Sequence, residues 1–432
     1  WGRTCRIGLA WSEDGIHFTK PELDVCSVND RPTNIVMGYA KGAAATSANP
    51  WAEDGAHSNA VIIDPRPARA DERFRTVYSH CKYSGETWQH ITSGAHSPDG
   101  IHWIPYEQRP SYGSARDNLS DVSCLWYDED NREFVQNTRH GRMYGAALPV
   151  GTPPKSGWAG MYYPHRPDLM NKRRVFQSRS HDCIHWSQPL EICAPDDAID
   201  NLDEAYYGMP QFRVGRQFYG LLGIFGHADN TMKVRLMQSR DGLLWQATDN
   251  AQPFLQPRGT GSWDAHMVSM TSEPIERGDE WWFYHGGSNA HHDWWMSGKE
   301  NLDVWEAKQP EQIKFCMGLA KLRKEGLASL YAGPNRDGVV QTRPLVHDGN
   351  RLLINARCEP GGSIQVGLVD QTGDVIGACG VEDCDTFTGD DTAHCVSWRG
   401  NPDLPATGPR PKVVFMLRHA HLYSFRFANE NL

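Results

Sequence analysis

The chain has 432 residues, enough for two or three domains at about 150 residues each. Its 53 acidic residues outnumber 43 basic ones, a formal charge of −10 with no basic cluster, which excludes nucleic acid or an anionic membrane as the main partner. Hydrophobic residues reach only 39%, yet 16 Trp, 15 Tyr and 14 Phe supply a large aromatic core that excludes wholesale disorder, and 41 Gly with 27 Pro exclude long helical bundles.

The first predicted strand, residues 5–10, runs into Ser12-Glu13-Asp14-Gly15-Ile16-His17-Phe18. The pattern returns at Ser97-Pro98-Asp99-Gly100-Ile101-His102-Trp103, at Ser180-His181-Asp182-Cys183-Ile184-His185-Trp186 and at Ser239-Arg240-Asp241-Gly242-Leu243-Leu244-Trp245. A worn fifth copy lies at 322–327. Each copy reads as a hairpin. Gly tolerates positive φ, the Asp side chain bonds nearby N–H groups, and the aromatic residue opens the next strand. These Asp residues, and the repeated His17, His102 and His185, therefore read as structural.

An opening strand starts each unit near His57, Asp121, Glu204 and Asp264, and a second strand follows at 74–78, 133–137, 217–224 and 280–285. Opening strand, second strand, third strand, hairpin and aromatic strand make one antiparallel blade. Blades arranged radially leave only short edges. Four blades are expected at 57–108, 120–192, 204–250 and 263–330, with 1–24 as the outer half of a fifth. The expected fold is all-β: a five-bladed β-propeller over 1–330, its first blade incomplete at the N-terminus, followed by a β-sandwich over 331–432, where alternating strands continue without the repeat.

No apolar run nears the roughly 18 residues of a spanning helix, so no membrane insertion is expected. The chain starts at Trp1, consistent with a removed signal segment and a secreted or periplasmic protein, or with a fragment. The 11 cysteines form no CxxC pair; Cys183 with Cys193, or members of Cys358, Cys379, Cys384 and Cys395, are disulfide candidates, with free buried thiols the alternative.

The four hairpins, Gly261-Ser262-Trp263-Asp264, Phe283-Tyr284-His285-Gly286-Gly287 and the tail Leu422-Tyr423-Ser424-Phe425-Arg426-Phe427 together resemble the five-bladed propeller glycoside hydrolases of families 32, 43 and 68. The nearest resemblance is to a family-32-like group with a C-terminal β-sandwich. The Asn-Asp-Pro-Asn-Gly run of family 32 is absent; Asn29-Asp30-Arg31-Pro32 echoes it only in part. The resemblance implies a carbohydrate substrate and carboxylates contributed by separate blades.

The starts of the opening strands converge on one mouth of a propeller. They supply His57, Asn59, Asp121, Asp203, Glu204, Asp264 and His266. Glycosyl transfer needs two carboxylates flanking the bond, and a third can raise the pKa of the acid. Glu204 is the expected general acid, with Asp121 and Asp264 as nucleophile, base or tuning partner. His57, Asn59, Asp203, Tyr206, His266, His285, Trp294 and Arg139 are the expected substrate contacts; the Arg would suit an acidic sugar. No cofactor is expected. The His291-His292-Asp293 run leaves room for a structural or channel metal ion, but adjacent residues of an extended strand point apart. A non-catalytic glycan-binding propeller and a His- or Tyr-dependent lyase are the competing expectations.

Overall fold

The computed structural model describes residues 6–38, 56–84, 87–113, 119–140, 173–196, 198–201, 203–227, 229–248, 252–270, 272–292, 294, 304–405 and 410–429. The fold is all-β, with 53% strand and 4% helix. The chain divides into two compact units, one of residues 1–274 with 283–320, the other of residues 275–282 with 321–432.

In the first unit the recurring element is an antiparallel sheet of sequential strands. His57–Ile63, Phe74–Ser84, Thr87–Ser97 and Ile104–Pro105 pair in that order. Leu119–Asp128, Glu133–His140, Val175–Ser180 and His185–Trp186 repeat it, with Leu190–Cys193 also on Val175–Ser180. A third set, Glu204–Gly208, Gln217–Gly226, Met232–Ser239 and Trp245–Ala247, is tied by a parallel pairing of Met232 with Met267 to the strand Met267–Ser269. Apolar residues bury both faces of the central strand of the third set: Leu221, Leu222, Ile224 and Phe225, with Gly223 among them, are all fully enclosed. Such a run has no solvent face.

The hairpin motif explains why the units repeat. In the second copy, Ser97 Oγ accepts the Gly100 N–H at 2.9 Å, and Asp99 Oδ1 accepts the Ile101 and His102 N–H groups at 2.8 Å each. Asp99 Oδ2 meets His102 Nδ1 at 2.7 Å, and the Trp103 indole donates to the Gly100 carbonyl at 3.0 Å. Partial burial opposes the charge on Asp99, but these bonds prevail and hold its pKa at about 2. Gly15, Gly100 and Gly242 take φ of 75°, 76° and 74°; the third copy asks the same of Cys183, at 64°. The Asp99 carboxylate, the Ser97 hydroxyl and the Trp103 indole all find partners within three residues.

The first hairpin is anchored far along the chain. Tyr284 Oη donates to the Gly15 carbonyl at 2.7 Å, and Phe18 meets the Tyr284 ring edge-on with centroids 6.0 Å apart.

The second unit is organised by two long strands, Arg351–Val369 and Lys412–Ala428, paired from Arg351 with Ala428 to Val369 with Lys412. Leu330–Ala332, Gly338–Gln341 and Asp390–Cys395 complete a five-stranded sheet. Register shifts at Asn355/Ala356 and Cys358/Ser363 let strands this long bend around a core of Leu352, Ile354, Val366, Phe415, Leu417 and Trp398. Hydrogen bonding is thus continuous through one sheet. Cys183, Cys193, Cys358, Cys379, Cys384 and Cys395, the disulfide candidates, are all free thiols. Burial pushes the Cys193 thiol up to about 12, as expected of an inert core sulfur. No helix among the described residues is long and apolar enough to cross a membrane.

Candidate functional site

The strands carrying His57, Asn59 and Asp121 are in place, but the side chains of these three lie outside the described residues, as do Asp293 and Trp295.

Glu204 opens its strand and is buried. Its Oε1 accepts from Lys233 Nζ at 2.5 Å, and its Oε2 accepts the Asn201 N–H at 3.1 Å with Arg235 Nη2 3.9 Å away. Behind it, Asp200 Oδ1 accepts from Arg235 Nη1 at 2.5 Å, while Oδ2 accepts the Tyr206 hydroxyl and the Asp196 N–H, both at 2.7 Å. Tyr206 is therefore enclosed, bonding inward to Asp200. Asp203 contributes its carbonyl to the His227 N–H at 3.1 Å. The cluster is a compensated ionic network, both oxygens of each carboxylate being engaged.

Asp264 lies in a second neighbourhood. Arg258 Nε donates to both of its oxygens, at 2.9 and 3.0 Å, and the guanidinium extends over the Trp263 ring. Burial opposes charge on Asp264, yet bonds from Ser262 and Arg258 hold its pKa below the usual carboxylate range. Trp263 stacks on His285, with centroids 5.6 Å apart and planes within 18°. Gly318 permits this stack, since a Cβ there would stand 2.5 Å from His285 Nε2 and 2.8 Å from the indole. Burial lowers the pKa of His285.

Beside Trp263 a cavity of about 260 Å³ opens, lined by Thr260, Gly261, Ser262, Trp263, Ala265, His266, Asn289, Trp305, Gln312 and Lys314. The side chain of Asn289 fixes the far wall: its Oδ1 accepts the Lys314 N–H at 2.7 Å and its Nδ2 donates to the Gln312 carbonyl at 3.1 Å. His266 stacks on His291, with centroids 3.8 Å apart and planes within 22°. His291 is held by Glu306, whose Oε1 takes both the ring Nδ1, at 2.6 Å, and the backbone N–H, at 3.1 Å. Glu306 is fully enclosed in the short helix Trp305–Lys308. Burial works against its charge, and the bonds from His291 overcome it and lower the pKa. Burial, then the neighbouring His291, lowers the pKa of His266, which presents a neutral imidazole to the cavity near neutral pH.

Next along, His292 Nε2 stands 2.8 Å from the Tyr207 hydroxyl, and the guanidinium of Arg139 lies over the Tyr207 ring at 4.2 Å, with that of Arg173 at 5.1 Å. Trp294 is half-buried; its backbone N–H points to the His291 carbonyl at 3.5 Å. Of the expected residues, the structure thus brings His266 to a cavity, with Asp264 and His285 behind its Trp263 wall. It sets Glu204 and Tyr206 in the ionic network, and Arg139 against Tyr207. Trp305, Glu306 and Lys314 escaped sequence reasoning because they lie between the fourth hairpin and its worn fifth copy and match no part of the repeat. The one signal was an acidic residue set between apolar neighbours in Val304-Trp305-Glu306-Ala307. Among the described residues no group of three or more His, Cys, Asp or Glu is arranged to hold a metal ion.

No protein-family model matches this chain, and no curated protein does. Among solved structures, the chain is similar to an N-acetylgalactosamine deacetylase from F. plautii in complex with blood group B trisaccharide, at 16% identity over 73% of this chain and 80% of that one, with a TM-score of 0.43. A glycosyl hydrolase from Bacteroides ovatus matches at 12% identity over 67% and 71%, with a TM-score of 0.37. A fructofuranosidase from Schwanniomyces occidentalis, complexed with fructosylnystose, matches at 11% identity over 98% and 88%, with a TM-score of 0.42.

Proposed function

We propose that the first unit is a five-bladed propeller that binds a glycan in the cavity beside Trp263 and hydrolyses it there. The observation that carries this reading is the composition of the cavity. Two tryptophans, Trp263 and Trp305, line it together with the polar residues His266, Asn289, Gln312 and Lys314. Apolar walls with a few placed polar groups are what a small concave ligand site needs, and a sugar ring has both kinds of surface.

For the chemistry we assign Asp264, whose neighbours on both sides line the cavity, with Asp121 as the second carboxylate. The Arg258 side chain that holds Asp264 is 60% exposed, so an entering sugar can displace it. Glu204, gripped from two sides, we assign to holding the funnel wall. The same engaged carboxylates favour one other reading, a glycan-binding propeller without turnover.

The test is product release from neutral, uronic and sulfated glycans by the wild-type chain, Asp264→Asn and Trp263→Ala, with binding measured alongside. Hydrolysis lost in Asp264→Asn with binding retained supports the enzyme. Binding lost in Trp263→Ala without turnover by any form supports the binding protein. Wild-type turnover that survives both substitutions sinks the cavity as the site.

A further inference from the structure

In the second unit, alternation along the paired strands sends Ala332, Ala356, Ala420 and Leu422 into the core and their neighbours to the opposite face of the sheet. On that face Tyr331 of Leu330–Ala332 pairs with His421 of Lys412–Ala428, and His421 pairs in turn with Arg357 of Arg351–Val369. The Tyr331 ring lies on the His421 ring, with centroids 4.3 Å apart and planes within 21°. His421 is flanked at both nitrogens: Ser329 Oγ stands 2.9 Å from its Nδ1, and Glu359 Oε1 3.6 Å from its Nε2. Beyond it the Tyr423 ring stays within 17° of parallel, and the Arg323 guanidinium lies over that ring at 5.0 Å. With one face of its ring covered, Tyr331 is still 51% exposed, so what it shows to solvent is the other face and the ring edge.

The backbone bends at this place. The ladder passes from Cys358–Ala420 to Ser363–Arg418, so residues 359–362 face His419 alone. His419 takes a φ of 43°, left-handed and inside a strand, with its ring 6.4 Å from that of Tyr331. Gly362 makes room, since a Cβ there would collide with the His419 carbonyl. Bulges re-aim side chains, and left-handed backbone at a non-glycine residue is strain of the kind that gathers at ligand sites.

We infer that this face of the second unit is a further binding site, for a neutral sugar chain, with Tyr331 as its platform. The negative face of an aromatic ring attracts the C–H groups on the face of a sugar ring. Arg357 donates to Glu359 at 2.7 Å and Arg323 pairs with Asp390, so each of these arginines is matched by a carboxylate. The pairs offer donors and acceptors to hydroxyl groups instead of a net charge. The rings are stacked before any sugar arrives, so little freedom is lost on binding. This site and the cavity beside Trp263 are independent readings, and either can fail alone.

The experiment is calorimetric titration of the full chain with short oligosaccharides cut from cellulose, xylan, mannan, galactan and arabinan. Trp263→Ala is the background, so that the cavity is silenced. The expected result is that at least one oligosaccharide binds this chain, that adding Tyr331→Ala weakens the binding about ten-fold, the scale of one aromatic contact, and that Tyr331→Phe retains it. Arg357, exposed on the same face, supplies a second variant: Arg357→Gln should weaken the same binding several-fold with Tm unchanged. Raising salt should leave the affinity as it was. A Trp263→Ala chain that binds none of the oligosaccharides, or binds them as tightly with Tyr331→Ala and Arg357→Gln, overturns the second site and leaves the cavity untouched. Binding confined to uronic or sulfated chains and weakened by salt overturns its assignment to neutral sugars. A dimer that Tyr331→Ala disperses in sedimentation, with no sugar bound, makes the face a contact between copies instead.

Discussion

Replacing Asp200 by Asn tests whether the ionic network around Glu204 holds the fold. Asp200 accepts three bonds, from Arg235, Tyr206 and the Asp196 N–H, and both it and Arg235 are enclosed. The amide keeps the shape but leaves the guanidinium with Glu204 alone, at 3.9 Å. Breaking an enclosed pair from one side costs about 3–5 kcal/mol. In a domain of this size each kcal/mol lowers Tm by about 2–4 °C, so Asp200→Asn should lose roughly 6–20 °C. Glu204→Gln should cost less, about 1–2 kcal/mol, because Lys233 is a third exposed and Arg235 keeps Asp200. The assay is thermal unfolding by circular dichroism, with glycan turnover or binding measured well below both transitions. An Asp200→Asn protein as stable as wild type would refute the network's structural role. Glu204→Gln with unchanged Tm and abolished turnover would return Glu204 to the chemistry.

Three further outcomes are expected. Glu306→Gln removes the charge opposite His291 while keeping an acceptor, and should cost about 1–3 kcal/mol and move the His291 ring resonances in a nitrogen-15 NMR spectrum; unmoved resonances would mean that Glu306 does not orient the ring. Gly318→Ala should push His285 and Trp263 apart, costing about 1–3 kcal/mol and weakening glycan binding, whereas wild-type affinity and Tm would show that the stack yields freely. Acidification should destabilise the protein. His266, His285, His394 and His421 have folded pKa values lowered chiefly by burial, against His102, raised by its bond to Asp99. A lowered His binds its proton more readily when unfolded, so its stability is complete above the unfolded pKa of about 6.5 and is lost as pH falls below it. Tm should drop between about pH 7 and pH 5, and a flat or rising Tm would contradict the burial of these rings.

The turns were legible because their physics is local. In Ser97-Pro98-Asp99-Gly100-Ile101-His102-Trp103 the Gly100, Ile101 and His102 N–H groups are satisfied within three residues, so the pattern of letters already contains those contacts. The strands around them were readable for the same reason: 133–137 falls inside Glu133–His140, and 217–224 inside Gln217–Gly226. The cavity was not legible, since it joins the segment around Trp263 to Asn289, Trp305 and Lys314, which share no spacing rule. Nor could the sequence separate Tyr206 from Tyr207. Neighbours on a strand face opposite ways, and which is enclosed depends on Asp200 and Arg235, met only in three dimensions.

The bond between Tyr284 and Gly15 also sets an order in time. The two residues are 269 positions apart, so the first hairpin emerges from the ribosome long before its anchor exists. At about 5–20 residues per second, that interval is on the order of a quarter of a minute to a minute. Through it the aromatic ring of Phe18 waits without its partner, and only the last strands of the first unit can capture it. A nascent chain stalled before residue 284 therefore holds its first hairpin without this anchor. Once Tyr284 arrives, the earliest and latest parts of the unit lock together, and unfolding must begin by parting them or elsewhere altogether.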